Sequence, residues 1–561
     1  MKALIASPHA LLEPRVAKLA QRGSVPDGLH NAAQRAKSSL KIKVTRKRRS
    51  SVPLNAAALA PEVEASPAIE DLPSSLEQET QKELQPFNWA KQWYPMAFVQ
   101  DLNAKVPHPV ELLSQRLVLW CDGEGEWRCF QDKCPHRLAP LSEGRIEPSD
   151  GTLMCSYHGW RFDGDGKCTD IPQSLDAKAN AAAYTNPRSC AVSHPTKVLQ
   201  GRVWVWGEGG PRAFIDSAAV QPAYVPELAV EEGIRHASGA EAVYFSVPYT
   251  RDFPYAWDVL AENLLDPSHV NFSHHGVIGN RYLEESGLTN ITAGPEPAAA
   301  PSPRDTLSME VESWVRQAGK VDKWVVQFIA PCLIQWKFTV PWGNQNVLNL
   351  YMVPTAPGRC RALVDMHTPA KGMPLLAYLA LKYLKMPSWF IHLTSSNVIL
   401  DGDTALLHWQ GHVVAKEAQQ GRSWRKAFFM PTPADRYVAK FRQWVDERGG
   451  GGPTQYGPDS PLPPLETRKE VVLDRWNGHT KHCSHCQKGY RAMQVAQIVA
   501  AALGTLCTLS LSAALGRGIP LLSRVPSLLG AGALLCIAAW FAAKTVEQKF
   551  IFEDYNHSHK H

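Results

Sequence analysis

Two short cysteine–histidine motifs constrain the fold of this 561-residue chain more than any other feature. The first is Cys134-Pro-His136, and the second is Cys155-Ser-Tyr-His158, which continues into Gly159-Trp160. Each motif supplies one thiolate and one imidazole, whereas a common zinc finger pairs cysteine with cysteine and histidine with histidine. A Rieske cluster places two cysteines on one iron and two histidines on the other, so each loop must reach both irons. The spacing predicts a two-iron, two-sulfur cluster, with a Cys₂His₂ zinc site as the alternative.

A second group of metal-binding residue types follows in the stretch Glu262-Asn263-Leu-Leu-Asp266-Pro-Ser-His269-Val-Asn-Phe-Ser-His274. His269 and His274 lie five residues apart near the end of a predicted helix, where the chain can curl and aim both imidazoles at one point. Two histidines and one carboxylate form a facial triad that leaves positions open on a mononuclear Fe(II). We expect His269 and His274 to be ligands of such an iron, with His275 as a spare candidate.

The carboxylate of this triad has to come from farther along the chain. Asp403, in Leu400-Asp401-Gly402-Asp403, is our prediction for the third ligand, and Asp401 is the alternative. Asp266 precedes His269 by three residues and can orient a ligand imidazole as a hydrogen-bond acceptor, unless it is only a helix-terminal or surface acid. Asn263, in the same motif, is a candidate catalytic residue together with Asp266.

Short apolar runs predict two consecutive folded domains after an irregular N-terminus. From Phe87 to about residue 210, runs that alternate with Gly, Asp and Pro turns predict a small all-β domain. From about residue 236 to 450, strand-like and helix-like segments predict an α+β domain with an antiparallel sheet. The predicted strands are Arg116–Trp120, Arg202–Trp206, Val347–Val353 and Arg361–Met366, and the predicted helices are Trp257–Leu265, Pro374–Leu384 and Pro433–Val445.

Two long uncharged runs lie near the C-terminus. Residues 492–516 and 525–543 contain no charged side chain. As helices they would be about 37 Å and about 28 Å long, enough to cross the hydrocarbon core of a bilayer. The runs predict a transmembrane hairpin, with a buried helical hairpin of a soluble core as the alternative. Lys and Arg flank both sides, so charge does not fix the orientation.

The first 50 residues carry the basic excess of the chain. They contain twelve Lys or Arg and only two acids, Glu13 and Asp27. Because the whole chain has a formal charge of +6, the remainder is close to −4, which argues against a nucleic-acid surface. The segment lacks the apolar run of a secretory signal and predicts an organelle transit peptide, or alternatively a disordered basic tail. Residues 51–85, rich in Pro, Ser, Ala and Glu, predict a disordered linker.

The segment before the uncharged runs contains Cys483-Ser-His-Cys486. A Cys-x-x-Cys spacing is typical of a redox dithiol, which thioredoxin could reduce. His479, His482 and His485 crowd the pair, so a metal site is an alternative, and an inert exposed pair is another.

The two metal motifs, in this order, resemble those of the Rieske non-haem iron oxygenases, and more closely the chloroplast branch typified by pheophorbide a oxygenase. The resemblance extends over about residues 86–556. The chain also resembles chlorophyllide and protochlorophyllide oxygenases and the translocon-associated Rieske protein of the inner envelope. The segments that carry it are Phe87–Pro95, Cys134–Arg145, Tyr157–Trp160, Asn263–His269, Leu473–Trp476 and Cys483–Cys486.

The resemblance implies an α+β architecture with a defined division of the chain. An all-β Rieske domain would occupy residues 86–215, and a helix-grip catalytic domain of antiparallel sheet and helices would occupy residues 216–450. A linker with the Cys-x-x-Cys pair would follow at 451–490, then a transmembrane hairpin at 491–545 and a tail at 546–561.

The resemblance also assigns roles to individual residues. Cys134, His136, Cys155 and His158 would hold the [2Fe–2S] cluster, and His269, His274 and Asp403 would hold the catalytic iron. Asp266 would bridge a cluster histidine of one subunit to an iron-ligand histidine of the next, which implies a homotrimer. The branch usually has Gln where this chain has Gly402, and that departure bears on the assignment of Asp403.

The implied activity is insertion of oxygen from O₂ into a chlorophyll-derived tetrapyrrole, foremost the ring opening of pheophorbide a, in a chloroplast membrane, either the inner envelope or the thylakoid. The sequence has neither a Gly-rich nucleotide fingerprint nor a plant-type ferredoxin cysteine run, so electrons would come from a separate ferredoxin. The alternatives are hydroxylation of another tetrapyrrole, or a non-catalytic redox sensor or protein-import component of the envelope.

Overall fold

The computed structural model describes residues 87–173, 176–223, 248–282, 289–297, 306–313, 322–339, 345–367, 374–376, 379, 386–453 and 461–559. The expected transit peptide at 1–50 and linker at 51–85 lie outside the described residues, and so does most of the helix predicted at Pro374–Leu384. The domain boundaries drawn from the sequence stay a prediction.

Two strands of the first part of the structure, β1 and β11, are buried on both faces. β1 is buried at all six positions, and so is every residue of β11, to which it pairs through Trp93 and Trp206. The strands of this part are β1 (Trp93–Phe98), β2 (His108–Leu112), β3 (Gln115–Cys121), β4 (Trp127–Gln131), β5 (Arg145–Ile146), β6 (Leu153–Met154), β7 (Arg161–Phe162), β8 (Cys168–Asp170), β9 (Ser193–His194), β10 (Thr196–Leu199) and β11 (Arg202–Trp206). Its helices are α1 (Ala177–Thr185) and α2 (Pro211–Ala218).

These strands form three small antiparallel sheets. The sheet orders are β1-β11-β10, β2-β3-β4-β9 and β5-β6-β7-β8. The last sheet is a meander of four very short strands. The Cys155 motif lies in its β6–β7 turn, and the Cys134 motif lies in the segment that leads from β4 into β5. The strand predictions at Arg116–Trp120 and Arg202–Trp206 are confirmed by β3 and β11.

The second part contains a seven-stranded antiparallel sheet in the order β12-β18-β17-β16-β15-β14-β13. The strands are β12 (Tyr249–Phe253), β13 (Thr289–Pro297), β14 (Thr306–Ser313), β15 (Asp322–Ile329), β16 (Leu333–Thr339), β17 (Gln345–Ala356) and β18 (Arg359–His367). The helices are α3 (Trp257–Leu265), α4 (Val270–Ser273), α5 (Ser388–Ile391), α6 (Asn397–Gln419), α7 (Trp424–Ala427) and α8 (Arg436–Glu447), and a π-helical turn, His392–Ser396, joins α5 to α6.

Two amphipathic helices cover this sheet. α3 turns Trp257, Leu260, Ala261 and Leu265 inward, and the helix has the bounds predicted from the sequence. α8 buries Tyr437, Phe441 and Trp444 at helical spacing, and the Tyr437 hydroxyl donates to the carbonyl of Leu307 on β14 over 2.7 Å. The helix predicted at Pro433–Val445 is confirmed, with its first three residues in a tighter 3₁₀ turn.

The C-terminal part consists of two short helices and two long ones. They are α9 (Lys469–Val472), α10 (Arg475–Gly478), α11 (Ser484–Gly516) and α12 (Arg524–Lys549). α11 and α12 are long and apolar enough to cross a membrane, and only 6% of the most apolar stretch of each is buried. A helical hairpin in a soluble core would be mostly buried, so both helices are candidate membrane spans.

Candidate metal centres

The two cysteine–histidine motifs form loops of the same design. In each loop the cysteine N–H donates to the carbonyl five residues ahead, Cys134 to Ala139 over 2.7 Å and Cys155 to Trp160 over 2.8 Å. In each loop the fourth residue after the cysteine donates back to the cysteine carbonyl. That fourth residue has positive φ in both, 61° at Leu138 and 74° at Gly159. Two loops with the same backbone hydrogen bonds can each direct one cysteine and one histidine toward a shared centre.

The four predicted cluster ligands lie together on these two loops, next to the β5-β6-β7-β8 sheet. The thiols of Cys134 and Cys155 are 1% and 2% exposed and hydrogen bond to each other. The rings of His136 and His158 have centroids 4.6 Å apart, and His136 stacks on Trp160 at 4.7 Å. The sulfur side is thus buried while His136 is exposed, an arrangement suited to a buried iron held by thiolates and an outer iron held by imidazoles.

Local hydrogen bonds prepare the sulfur side for a metal. The hydrogen bond from Cys134, with backbone N–H groups and the nearby His158, lowers the pKa of Cys155 to about 6. The same thiol contact and burial raise the pKa of Cys134. Because thiolates are the form that binds iron, the ready ionisation of Cys155 agrees with a metal centre at this position.

The second centre brings together three of the predicted iron ligands. One donor atom each of His269, His274 and Asp403 lies within 4.8 Å of the others. His274 and Asp403 are 2% and 4% exposed, and the distance from His274 Nε2 to Asp403 Oδ2 is 3.1 Å. The histidines flank the short helix α4, His269 at its start and His274 at its end, which turns both rings to one side. Two imidazoles and one carboxylate at this spacing fit one Fe(II) ion.

Asp403 occupies this site as part of the long helix α6. Its Oδ1 accepts a hydrogen bond from the Ser273 hydroxyl over 2.7 Å, which fixes the carboxylate. Burial alone would raise the pKa of Asp403, but the hydrogen bond from His274 and the charges of His274 and His269 hold it below its usual value. The carboxylate is therefore ionised at neutral pH, as a metal ligand has to be.

The alternative ligands are engaged elsewhere. Asp401 is fully buried between two guanidinium groups, at 2.6 Å from Arg251 Nη2 and 2.8 Å from Arg475 Nε. The Nδ1 atom of His275 accepts the backbone N–H of Arg281 over 3.1 Å. The ion pairs of Asp401 favour Asp403 as the carboxylate ligand. His275 keeps an unpartnered Nε2, but it does not belong to the compact group that His274 forms with His269 and Asp403.

Asp266 and Asn263 stand at the end of α3. The backbone carbonyl of Asp266 accepts a hydrogen bond from His269 Nδ1, which leaves Nε2 of that ring for a metal. The Asp266 carboxylate accepts the N–H of Ser268 over 2.8 Å and remains part-exposed. The carbonyl of Asn263 accepts the N–H of Asp266, so the contact that the structure shows for Asn263 is a local one that closes the helix.

Sequence reasoning missed a residue of the C-terminal tail at this site. The Tyr555 hydroxyl donates to the carbonyl of Ser273 over 3.0 Å, and its ring lies against Gly402. His557 follows, and its ring centroid lies 4.9 Å from that of Tyr555. The tail is more than 150 residues from Asp403 in sequence. No local pattern could have revealed this contact, although the resemblance did extend into the tail.

Cys483 and Cys486 lie in a separate cluster. Both thiols are buried at the start of α11, and they face His392 and His479 rather than His482 or His485. Sequence reasoning named His479 as a neighbour but missed His392, which comes from the π-helical turn before α6.

An apolar groove lies between the domain that holds the iron-ligand triad and the two long helices. It has a volume of about 790 Å³ and begins at Gly276 and Val277, just after His274. Leu393 and Val398 line one wall, and Met493 of α11 together with residues of α12 lines the other. This volume lies in the range of ligand-binding pockets, and its lining suits an apolar molecule.

Comparisons with known proteins agree with the two centres. The family model described as Rieske [2Fe-2S] domain matches residues 92–181, which include all four predicted cluster ligands. The model for the vanillate O-demethylase oxygenase C-terminal domain matches residues 255–368, which include His269 and His274. The model for pheophorbide a oxygenase matches residues 328–421, which include Asp403.

Similar proteins extend over nearly the whole chain. Pheophorbide a oxygenase, chloroplastic, of Oryza sativa subsp. japonica is 33% identical over 88% of this chain and 90% of that protein. Flavonoid 8-hydroxylase 2, chloroplastic, of Ocimum basilicum is 29% identical over 88% and 90%. Protochlorophyllide-dependent translocon component 52, chloroplastic, of Arabidopsis thaliana is 27% identical over 84% and 86%.

Proposed function

Because this chain belongs to the Rieske non-haem iron oxygenase family that includes pheophorbide a oxygenase, we propose that it oxygenates a chlorophyll-derived tetrapyrrole, with ring opening of pheophorbide a as its reaction. An enzyme of this family needs an electron donor, an organic substrate and O₂. The observation that carries the proposal is the convergence of His269, His274 and Asp403 within 4.8 Å, close in sequence to an apolar groove.

The residues that we propose as ligands have distinct tasks. Cys134, Cys155, His136 and His158 would hold the [2Fe–2S] cluster, and His269, His274 and Asp403 would hold Fe(II). When bound, the cluster supplies single electrons and the iron supplies the activation of O₂. Ser273 holds the Asp403 carboxylate, and the Asp266 carbonyl holds the His269 ring, so two ligands are oriented before a metal binds.

The groove supports a large apolar substrate. Its walls are contributed by the domain that holds the triad and by α11 and α12, so a molecule dissolved in the bilayer could enter without crossing water. We propose that α11 and α12 anchor the chain in a chloroplast membrane, since the similar proteins are named as chloroplastic.

Ferredoxin is our proposed electron donor and a homotrimer our proposed assembly. His136 is exposed at the surface, and the Asp266 side chain is 30% exposed, so both are open to contact from another protein. We propose that Asp266 receives a cluster histidine of the neighbouring subunit. Thioredoxin as a reductant of Cys483 and Cys486 stays a prediction, and it requires that these buried thiols become exposed.

Reconstitution tests the activity. The full chain in lipid vesicles, with ferredoxin, its reductase, NADPH and O₂, should convert pheophorbide a to a product that has gained oxygen. Label from ¹⁸O₂ in the product would identify the source of that oxygen. Asp403→Ala should abolish turnover and reduce iron from about three to about two atoms per chain, with the spectrum of the cluster unchanged.

The same assay separates the alternatives. The flavonoid hydroxylase and the protochlorophyllide-dependent translocon component among the similar proteins justify trials with a flavonoid and with protochlorophyllide. Turnover of either one in place of pheophorbide a would replace the proposed substrate. Two irons per chain, with no O₂ uptake on any of the three, would favour a redox sensor and contradict the oxygenase.

A further inference from the structure

Four buried metal-binding side chains converge away from both centres described above. They are His392, His479, Cys483 and Cys486, each at most 1% exposed. One donor atom from each lies within 4.8 Å of every other. In the part of the chain that the structure describes, this set and the His269–His274–Asp403 set are the two compact groups of this kind. Nothing in the proposed oxygenase reaction uses the His392–His479–Cys483–Cys486 set.

The distances between these donors match the edges of a tetrahedron around one ion. With bonds of about 2.3 Å to sulfur and about 2.0 Å to nitrogen, tetrahedral zinc separates its ligand atoms by about 3.3 to 3.8 Å. His392 Nδ1 lies 3.3 Å from Cys486 Sγ and 3.7 Å from Cys483 Sγ. His479 Nε2 lies 3.2 Å from Cys486 Sγ. The two S–H groups can donate only two hydrogen bonds among these atoms. One metal ion would bind all four donor atoms together.

One of the two imidazoles is already oriented as a metal ligand. The Nδ1 atom of His479 donates to the carbonyl of Thr250 on β12 over 2.6 Å. This hydrogen bond fixes the proton on Nδ1 and leaves the lone pair of Nε2 directed at the sulfurs. A backbone carbonyl behind a ligand histidine is the usual outer support of a zinc site. The Tyr249 ring stacks on the His479 ring at 4.2 Å and holds its plane.

Burial argues against an exchanging dithiol. A redox-active Cys-x-x-Cys pair needs a sulfur that another thiol can attack. Here both sulfurs lie in a small apolar cluster with Leu393 and Phe550, apart from the main core. Two buried thiols and two buried imidazoles without an ion would leave a polar centre in that cluster, whereas Cys₂His₂ is a common set for structural zinc.

We propose that His392, His479, Cys483 and Cys486 bind one structural Zn²⁺ ion. The ion joins three parts of the chain: the π-helical turn before α6, the segment between α10 and α11, and the first turn of α11. It therefore links α11 to the π-helical turn that leads into α6, the helix that contains Asp403. Unlike the oxygenase proposal, it requires neither iron nor substrate, and it can fail or hold independently.

Metal analysis of the full-length protein in detergent is the first test. Purified chain should contain about one zinc in addition to its iron, and zinc-edge X-ray absorption should show two sulfur and two nitrogen neighbours at about 2.3 Å and about 2.0 Å. An organomercurial that binds thiols should release that zinc to a colorimetric chelator. Zinc well below stoichiometric amounts, or a zinc spectrum without sulfur, would overturn the proposal, and so would iron in this site.

Variants assign the ligands. Cys486→Ser should lower the zinc content at least about tenfold and leave the spectrum of the [2Fe–2S] cluster intact. His485→Ala is the matched control, because His485 lies between the two cysteines but does not face the four donors. Since Cys486→Ser can fail to fold, His392→Cys provides a second test: the protein should keep its zinc while the neighbours change from two sulfurs to three. Unchanged zinc in Cys486→Ser, or loss of zinc in His485→Ala, contradicts the assignment.

Discussion

At the residue scale, Gly402 is the position where the proposed iron ligands meet the C-terminal tail. The resemblance described above implies Gln at this position, where this chain has Gly. In this chain a Cβ atom at 402 would lie 3.1 Å from His274 Nδ1 and 3.1 Å from the Tyr555 ring. The space of a side chain is thus already filled by His274, a proposed ligand, and by the C-terminal tail. With Gly at position 402, the Asp403 carboxylate lies 3.1 Å from His274 Nε2.

Gly402→Ala should therefore damage the iron site without unfolding the protein. The added methyl group would push His274 or Tyr555 away by a few tenths of an ångström, and misplacement of a ligand is expected to lower turnover by about tenfold or more. Gly411→Ala on the same helix is the control, since its Cβ would meet Val259 at an ordinary 3.6 Å. Iron content and O₂ uptake of both variants measure the effect; equal values would show that Gly402 has no special role.

A second prediction at this scale concerns His194 and acid. This ring is 2% exposed, its Nδ1 donates to the Trp206 carbonyl over 3.0 Å, and burial lowers its pKa. The folded protein holds it neutral, so its contribution to stability is full above about pH 6.5 and is lost as the pH falls below that. The thermal midpoints of wild type and His194→Asn should converge as the pH falls from about 7 to about 5. Over this range the free energy of unfolding of the wild type falls by up to about 1.4 kcal/mol per pH unit more than that of the variant, because only the wild type has this buried imidazole. Parallel curves would contradict this.

At the element scale, α6 separates two acids that the sequence could not tell apart. Asp401 and Asp403 are two residues apart on a helix, so their side chains point in different directions. Asp403 faces the two histidines of the triad, and Asp401 faces Arg251 of β12 and Arg475 of α10. The sequence favoured Asp403 with Asp401 as the alternative, and the resemblance pointed to Asp403 as well. The arginines that occupy Asp401 come from distant segments, and local spacing cannot indicate them.

Asp401→Asn should destabilise the fold and spare the iron site. It would leave two guanidinium groups, each 1% exposed, without their shared countercharge, at a cost of about 3–5 kcal/mol. We expect a clearly lower thermal midpoint with iron still bound at low temperature. Asp403→Asn should show the opposite pattern, with iron lost and a smaller change in midpoint. If Asp401→Asn lost iron at an unchanged midpoint, the ligand assignment would have to be reversed.

At the scale of the whole molecule, contacts between residues close in sequence could be predicted, and contacts between distant residues could not. The approach of His269 to His274 is local, because one short helix separates them, and each cysteine–histidine loop is closed by its own backbone hydrogen bonds. Sequence reasoning could therefore propose these residues as ligands. The roles of Tyr555 and His392 could not be predicted, because each meets its partners only when the C-terminal segment folds back on the part of the chain that contains the seven-stranded sheet. The groove between that domain and α12 was invisible for the same reason.

This return of the chain places the proposed substrate entrance beside the two long apolar helices, and a bulky side chain on α12 can block it. Ala542 of α12 lines the groove, whereas Leu534 of the same helix is 69% exposed and lies outside it. Ala542→Trp should raise the KM for a membrane-dissolved tetrapyrrole by at least about fivefold, because the indole takes up groove volume without touching either metal centre. Leu534→Trp adds the same ring to the hairpin and should behave as wild type. Both proteins should keep full iron content, so that a change in KM reports access alone. If Ala542→Trp turned over substrate from vesicles as wild type does, the substrate would have to reach the triad by another route, and the proximity of the groove to His274 would carry no functional meaning.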